Sequence, residues 1–195
     1  MKRKDTIARI IRIVSVPPVM VSTLLIVLNI CRPDIFHRTN DVILPLFMLG
    51  IVPVLAYLFY FLIPALKEKG REMQRQLAFI FSLIGYTAAF VWALLSNVSP
   101  ELLTICTTYF LSVILLTFMN KVLKKRASGH ACSVVGPLVF FIFFINWKLI
   151  FPCIAIAACV FWSSLYLKRH TRYDLLGGVI ANLIAFTLSY SIIML

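Results

Sequence analysis

Long apolar stretches alternate with short polar ones along the whole chain. Seven of them, at about 13–30, 43–66, 77–96, 102–119, 131–147, 149–167 and 175–195, carry almost no charge. A helix rises 1.5 Å per residue, so about 20 apolar residues cross the ~30 Å hydrocarbon core of a bilayer. Only helices and closed barrels satisfy their backbone in lipid. Runs this long therefore predict an all-α, polytopic transmembrane bundle of six to seven spans.

The interruptions carry their own signals. Pro17-Pro18 predicts a kink or a helix start near the first span, and Pro53 lies inside the second. Asn97-Val98-Ser99-Pro100 predicts a tight turn with Ser99 as the following N-cap. Asn146-Trp147-Lys148 reads as an interfacial turn with a tryptophan anchor. The boundary within 131–167 rests mainly on Lys148 and Pro152. The run from Phe140 to Phe144 predicts lipid-facing bulk rather than a ligand box. Asn29 and Asn182 are expected to make helix-packing contacts.

Composition agrees with the pattern. Of 195 residues, 62% are hydrophobic and 13% charged. A soluble chain is roughly half apolar and about a quarter charged. The first apolar run continues beyond the ~7–15 residues of a signal-peptide core, and no small-residue cleavage site follows. Cys31, Cys106, Cys132, Cys153 and Cys159 form no CxxC pair. They are expected to be small core or lipid-facing residues, with neither a disulfide framework nor a metal site.

Charge adds an orientation. With seven spans, the N-terminus, 67–76, 120–130 and 168–174 fall on one side. They hold sixteen of the nineteen Lys and Arg residues, including Lys2, Lys67 and Arg71; Arg32, Arg38 and Lys148 fall on the other. An excess of Lys and Arg marks the cytoplasmic side. The net charge of +12 is thus a membrane feature. No soluble basic domain exists to carry a nucleic-acid footprint. The excess fits positive-inside anchoring and attraction to anionic headgroups, and also a basic bowl for a phosphate.

Two polar segments on that side carry candidate chemistry. In Arg169-His170-Thr171-Arg172-Tyr173-Asp174, the histidine and aspartate stand four apart. On a helix they would share a face, and the carboxylate would fix the imidazole tautomer, leaving the other nitrogen as base or nucleophile. The plain alternative is a polar first turn with Asp174 as its acid. The second segment ends Arg126-Ala127-Ser128-Gly129-His130 at the mouth of the fifth span. Glycine there admits close backbone approach, and amide N–H groups at a helix start attract an anion. His130 could protonate a leaving oxygen. Lys67, Lys69, Arg71 and Arg75 could neutralise a phosphoryl group, or could form an ordinary cytoplasmic loop.

This constellation resembles the type 2 phosphatidic acid phosphatase superfamily of integral-membrane lipid phosphatases, in its divergent prokaryotic branch. That family carries Lys-x6-Arg-Pro, Pro-Ser-Gly-His and Ser-Arg-x5-His-x3-Asp. Here the second motif is Ala127-Ser128-Gly129-His130. The third is Ser163-Ser164, five residues, His170, three residues, Asp174, with Ser164 where the family has arginine. The first motif is irregular: Glu68 stands seven before Arg75, Gln76 follows it, and Lys69 is the nearest lysine.

The resemblance implies one membrane domain over 1–195: a basic N-terminus at 1–12, two spans in 13–66 and a phosphatase-like core from 67 to 195. It implies a nucleophile at His170, oriented by Asp174, and a general acid and base at His130. Lys69, Arg75, Arg126, Ser128 and Gly129 would bind phosphate, and no metal or other cofactor would be needed. The implied substrate is a phosphorylated lipid: phosphatidate, phosphatidylglycerol phosphate, or a polyprenyl phosphate or diphosphate. The setting would be a prokaryotic plasma membrane with no nucleic-acid partner; the charge pattern puts the site on the cytoplasmic side, unlike the exoplasmic site common in the family. Two other readings stand beside it. One is a catalytically silent lipid-binding or transport protein on the same scaffold. The other is an unrelated channel or transporter, which the lack of charge in mid-span disfavours.

Overall fold

The computed structural model describes residues 3–195; Lys2, counted above among the N-terminal cations, lies outside the described residues, as does the side chain of Arg71. Among the described residues the chain is helical throughout, with no strand. In order the helices are α1 (Arg3–Val14), α2 (Pro17–Cys31), α3 (Thr39–Pro45), α4 (Val52–Leu62), α5 (Pro64–Glu68), α6 (Gly70–Leu95), α7 (Pro100–Thr117), α8 (Gly129–Phe144), α9 (Ile150–Tyr166) and α10 (Arg172–Ile193).

Five segments are long and apolar enough to cross a bilayer: Thr39–Leu62, Glu72–Leu95, Pro100–Val122, Trp147–Tyr166 and Arg172–Ile193. The bent pair α1 and α2, 59° apart, makes a sixth if counted as one span. Helix α8 completes the seven-segment pattern but has only 16 residues, a length of about 24 Å. A wide π-type turn at Leu46–Ile51 joins α3 to α4, so Pro45 and Pro53 are absorbed within one continuous span.

Local signals explain most boundaries. Ser99 caps α7, accepting from the Leu102 N–H at 3.2 Å. Pro17 opens α2 after the bend. Gly70, at φ +71°, turns the chain at the first residue of α6, just after Lys69 ends α5. The charged residues after it are the first turns of α6 rather than a loop, and Glu72 and Arg75 pair there at 3.4 Å.

The two ends of the bundle differ. At one, Arg32 donates to the Phe144 carbonyl at 2.7 Å and reaches Glu101 at 3.4 Å. Arg38 donates to the Ser96 carbonyl at 2.8 Å. His37 belongs to this end. At the other end the basic segments converge on the site.

The interior is aromatic and small-residue packing. Phe140 stacks with Phe144 at 5.6 Å and meets Phe186 edge-on at 5.6 Å. Phe140 and Phe144 are buried in this core, which corrects the expectation of lipid-facing bulk. The helical period turns only part of the run outward, as at exposed Phe143. Deeper in, the Asn182 amide donates to Ser112 at 3.4 Å, as a packing role predicts, whereas Asn29 is exposed. Cys106, Cys132 and Cys153 are buried and Cys31 and Cys159 exposed, all as free thiols.

Candidate active site

Helices α8 and α10 set the site by closing on one another. A Cβ on Gly178 would collide with the Ser128 carbonyl oxygen, and one on Gly177 would stand 3.2 Å from the Ala127 Cβ. The two glycines thus let α10 lie against the start of α8. The Ser128 N–H donates to the Asp174 carbonyl at 2.8 Å, fastening the crossing. Asn120 braces the approaching loop: its carbonyl oxygen accepts from the Ala127 N–H at 3.2 Å, and its amide donates to the Leu116 carbonyl at 2.8 Å.

The result is one open cavity of about 700 Å³ with both histidines in its wall. Among the described residues, Arg12, Arg75, Arg126, Lys168 and Arg169 line it too, against a single acid, Glu72. The cavity deepens to Tyr86, Tyr109, Ser112, Cys132 and Asn182. At that depth the Tyr109 hydroxyl and the Asn182 carbonyl oxygen have no hydrogen-bond partner among the described residues. A second, smaller space of about 270 Å³ adjoins it, lined by Val16, Pro17, Pro18, Pro53, Val54, Tyr57, Ala78 and Ser82. Val16, Pro17, Tyr57, Ala78 and Ser82 belong to both.

His170 is not on a helix. Thr171 is the N-cap of α10, and its hydroxyl accepts from the Asp174 N–H at 3.1 Å. The Asp174 carboxylate accepts in return from the Thr171 N–H at 3.0 Å. This reciprocal capping box stabilises the helix start. His170 Nδ1 stands 3.7 Å from Asp174 Oδ2. Sharing a helix face is therefore not what brings them together; the extended N-cap between them is. Asp174 accordingly does both things considered for it: it caps the helix and sits beside the imidazole.

The chain reaches His170 through a sharp turn. Lys168 adopts φ +51°, a left-handed conformation costing roughly 1–2 kcal/mol for a residue with a Cβ. The Arg169 N–H donates to the Ser164 carbonyl at 3.0 Å. Burial, and then the Arg12 guanidinium, hold His170 below its ordinary pKa of 6.5; Asp174 pulls the other way, while Arg126 and Arg75 add to the lowering. His170 is therefore neutral at pH 7, the state a nucleophilic imidazole requires.

His130, the second residue of α8, shares a hydrogen bond between Nε2 and the Ser15 hydroxyl at 3.2 Å. Of the residues expected to bind phosphate, Arg75, Arg126 and Gly129 line the cavity. Ser128 does not: it is buried, and its hydroxyl accepts from the Ala131 N–H at 3.2 Å as the cap of α8. Lys69 is exposed at the α5–α6 junction, outside the lining. Ser164 is buried, with no hydrogen-bond partner for its hydroxyl among the described residues. Among the described residues, no three His, Cys, Asp or Glu side chains gather as metal ligands.

Sequence reading missed Arg12, Ser15 and Asn120. Arg12 sits one helical turn after Ala8 and just before the Pro17-Pro18 break, a spacing that could have signalled an arm bent back onto the bundle. No family model, curated protein or solved structure matches this chain.

Proposed function

We propose that this is a membrane lipid phosphate phosphatase working through a phosphohistidine. The observation that carries the reading is two imidazoles, forty residues apart in sequence, in the wall of one cation-lined cavity. His170 Nδ1 faces Asp174, which leaves Nε2 to attack phosphorus. The P–N bond forms as the ester P–O bond breaks, and His130, which takes up a proton from solvent as the phosphate binds, delivers it to the departing alkoxide. Water then attacks the phosphohistidine, giving its proton to His130 and releasing inorganic phosphate and neutral His170. Positioning and cationic stabilisation of the transferring group supply most of the rate in such chemistry. The arrangement fits the type 2 phosphatidic acid phosphatase pattern at its second and third motifs.

A lipid substrate is supported by the adjoining apolar space. A phosphate among the arginines would leave its chain free to run past Val16, Pro17 and Tyr57 toward Pro53 and Val54. Phosphatidate, phosphatidylglycerol phosphate and polyprenyl phosphates or diphosphates share that build. The site end carries the basic segments and is proposed to face the cytoplasm of a prokaryotic plasma membrane.

The test is phosphate release from these lipids by the detergent-solubilised chain in EDTA. His170→Ala and His130→Ala should each abolish it, and His37→Ala, at the far end, should leave it unchanged. A strict divalent-metal requirement, or turnover without His170, refutes the reading. Binding without turnover would instead favour the silent lipid-binding alternative.

A further inference from the structure

We propose that Arg12 is the arginine that grips the phosphoryl group, and that α1 is therefore a working part of the site rather than a membrane anchor. The inference rests on the phosphatase reading for its substrate, but its anion site stands or falls separately.

Helix α1 is amphipathic and basic, as a helix lying on an anionic leaflet would be. Its basic residues nevertheless divide. Arg3, Lys4 and Arg9 are exposed, whereas Arg12 is half-buried and lines the cavity with His130 and His170. The helix is held for that purpose at three points. The buried Ser163 hydroxyl of α9 donates to the buried Ala8 carbonyl at 2.7 Å. Tyr166 donates to Asp5 at 2.8 Å. Ser15, at the bend after α1, meets His130 at 3.2 Å and stands 3.4 Å from the Arg12 carbonyl.

The fit depends on small residues. Ala8, Ser163 and Ser164 are all fully buried, which lets α1 approach α9 closely. Ala8 and Arg12 are four apart and so share a helix face. Fixing Ala8 against α9 therefore fixes the direction of Arg12, and the 59° bend to α2 keeps the arm at the site rather than continuing along the span.

Electrostatics agree with the position. Arg12 is the charged group acting most strongly on both imidazoles. The other lining cations are exposed: Arg75, Arg126, Lys168 and Arg169 stand at the rim. A guanidinium offers a fixed, always-charged fork that matches two phosphoryl oxygens, and it is worth more where water is scarce. Arg12 alone among these cations combines partial burial with proximity to both rings.

The experiment uses the full chain in detergent, with orthovanadate and inorganic phosphate as probes of thermal unfolding. Wild type should be stabilised in a concentration-dependent way. Arg12→Ala should lose that response, Arg12→Lys should need about tenfold more probe, and Arg9→Ala should match wild type. On a hydrolysed lipid phosphate, kcat of Arg12→Ala should fall about 10²–10³-fold, the loss typical of one transition-state donor.

An Arg12→Ala protein that responds to vanadate like wild type overturns the proposal, and hydrolysis that still needs His170 would then leave the phosphatase reading intact. Conversely, an Arg12-dependent vanadate response without hydrolysis of any lipid phosphate upholds the anion site and sinks the phosphatase reading. Should Arg12→Ala not fold, Arg12→Lys decides, since vanadate affinity equal to wild type would overturn the proposal. A wild type with no response to either anion also overturns it.

Discussion

Replacing Gly178 by alanine should damage the site without touching any residue proposed to react. The new Cβ would collide with the Ser128 carbonyl oxygen and lie 3.1 Å from both the Ala131 Cβ and the Cys132 nitrogen. Two of these three atoms are backbone, so no flexible side chain can yield and α10 must withdraw from α8. Overpacking of this kind costs roughly 1–3 kcal/mol. Stretching the 2.8 Å bond from the Ser128 N–H to the Asp174 carbonyl adds about 1 kcal/mol. A total of roughly 2–4 kcal/mol corresponds to a fall in Tm on the order of 10 °C for a chain of this size.

The displacement should also part the two rings, because His170 precedes α10 and His130 begins α8. A misplacement of about 1 Å can cost on the order of 10²-fold in rate. Two further glycines make the measurement a graded series. A Cβ on Gly177 meets side-chain and Cα atoms at 3.2–3.4 Å, and one on Gly50 meets only ordinary contacts at 3.5–3.6 Å. Thermal unfolding in detergent should therefore rank Gly50→Ala mildest, Gly177→Ala intermediate and Gly178→Ala worst. Equal melting points across the series would refute close packing of α10 on α8 as the device that assembles the site.

Other expectations follow from single contacts and charges. Because His170 titrates below its ordinary value, it should stay unprotonated from neutral pH downward and set an acid limb only as pH drops through that lowered pKa, while the need for a proton on His130 should make the rate fall as pH rises. Arg12→Gln removes a lowering charge and should move the acid limb of a pH–rate profile up, while Asp174→Asn removes a raising one and should move it down; shifts of the same sign would contradict the assignment. Ser163→Ala removes the 2.7 Å bond that ties the buried Ala8 carbonyl to α9 and should cost roughly 0.5–1.5 kcal/mol, detected as faster proteolysis within residues 3–16. Single cysteines placed in 67–76 and 168–174 should react with a membrane-impermeant reagent only from the cytoplasmic side of oriented vesicles.

Apolar runs made the bundle legible because lipid leaves a backbone few choices. Ser99 and Pro17 marked true helix starts for local reasons of capping and missing N–H groups. The first turns of α6 were left between a loop and a phosphate-neutralising segment because charge suggested solvent, yet charged residues are good helix formers when no breaker interrupts them. At the site, the two histidines, Arg75, Arg126 and Gly129 were visible as short-range motifs. Ser128 lies outside the cavity lining because a hydroxyl before a glycine serves equally as a helix cap. Arg12 stayed hidden because the Pro17-Pro18 break signals a bend but not its target, and the contact that sets its position is with Ser163, far along the chain.

Helix α8 is short, and that has a consequence for where chemistry could happen. Its last residue is tied by Arg32 at the far end, and an upright helix of about 24 Å starting from one edge of a ~30 Å hydrocarbon layer would end roughly 6 Å short of the other. His130 stands at that short end, among the first residues of α8. A headgroup would have to dip beneath its neighbours to be cut there, or the leaflet would have to pucker inward to meet the protein, and membrane thickness would then tune turnover as surely as any side chain.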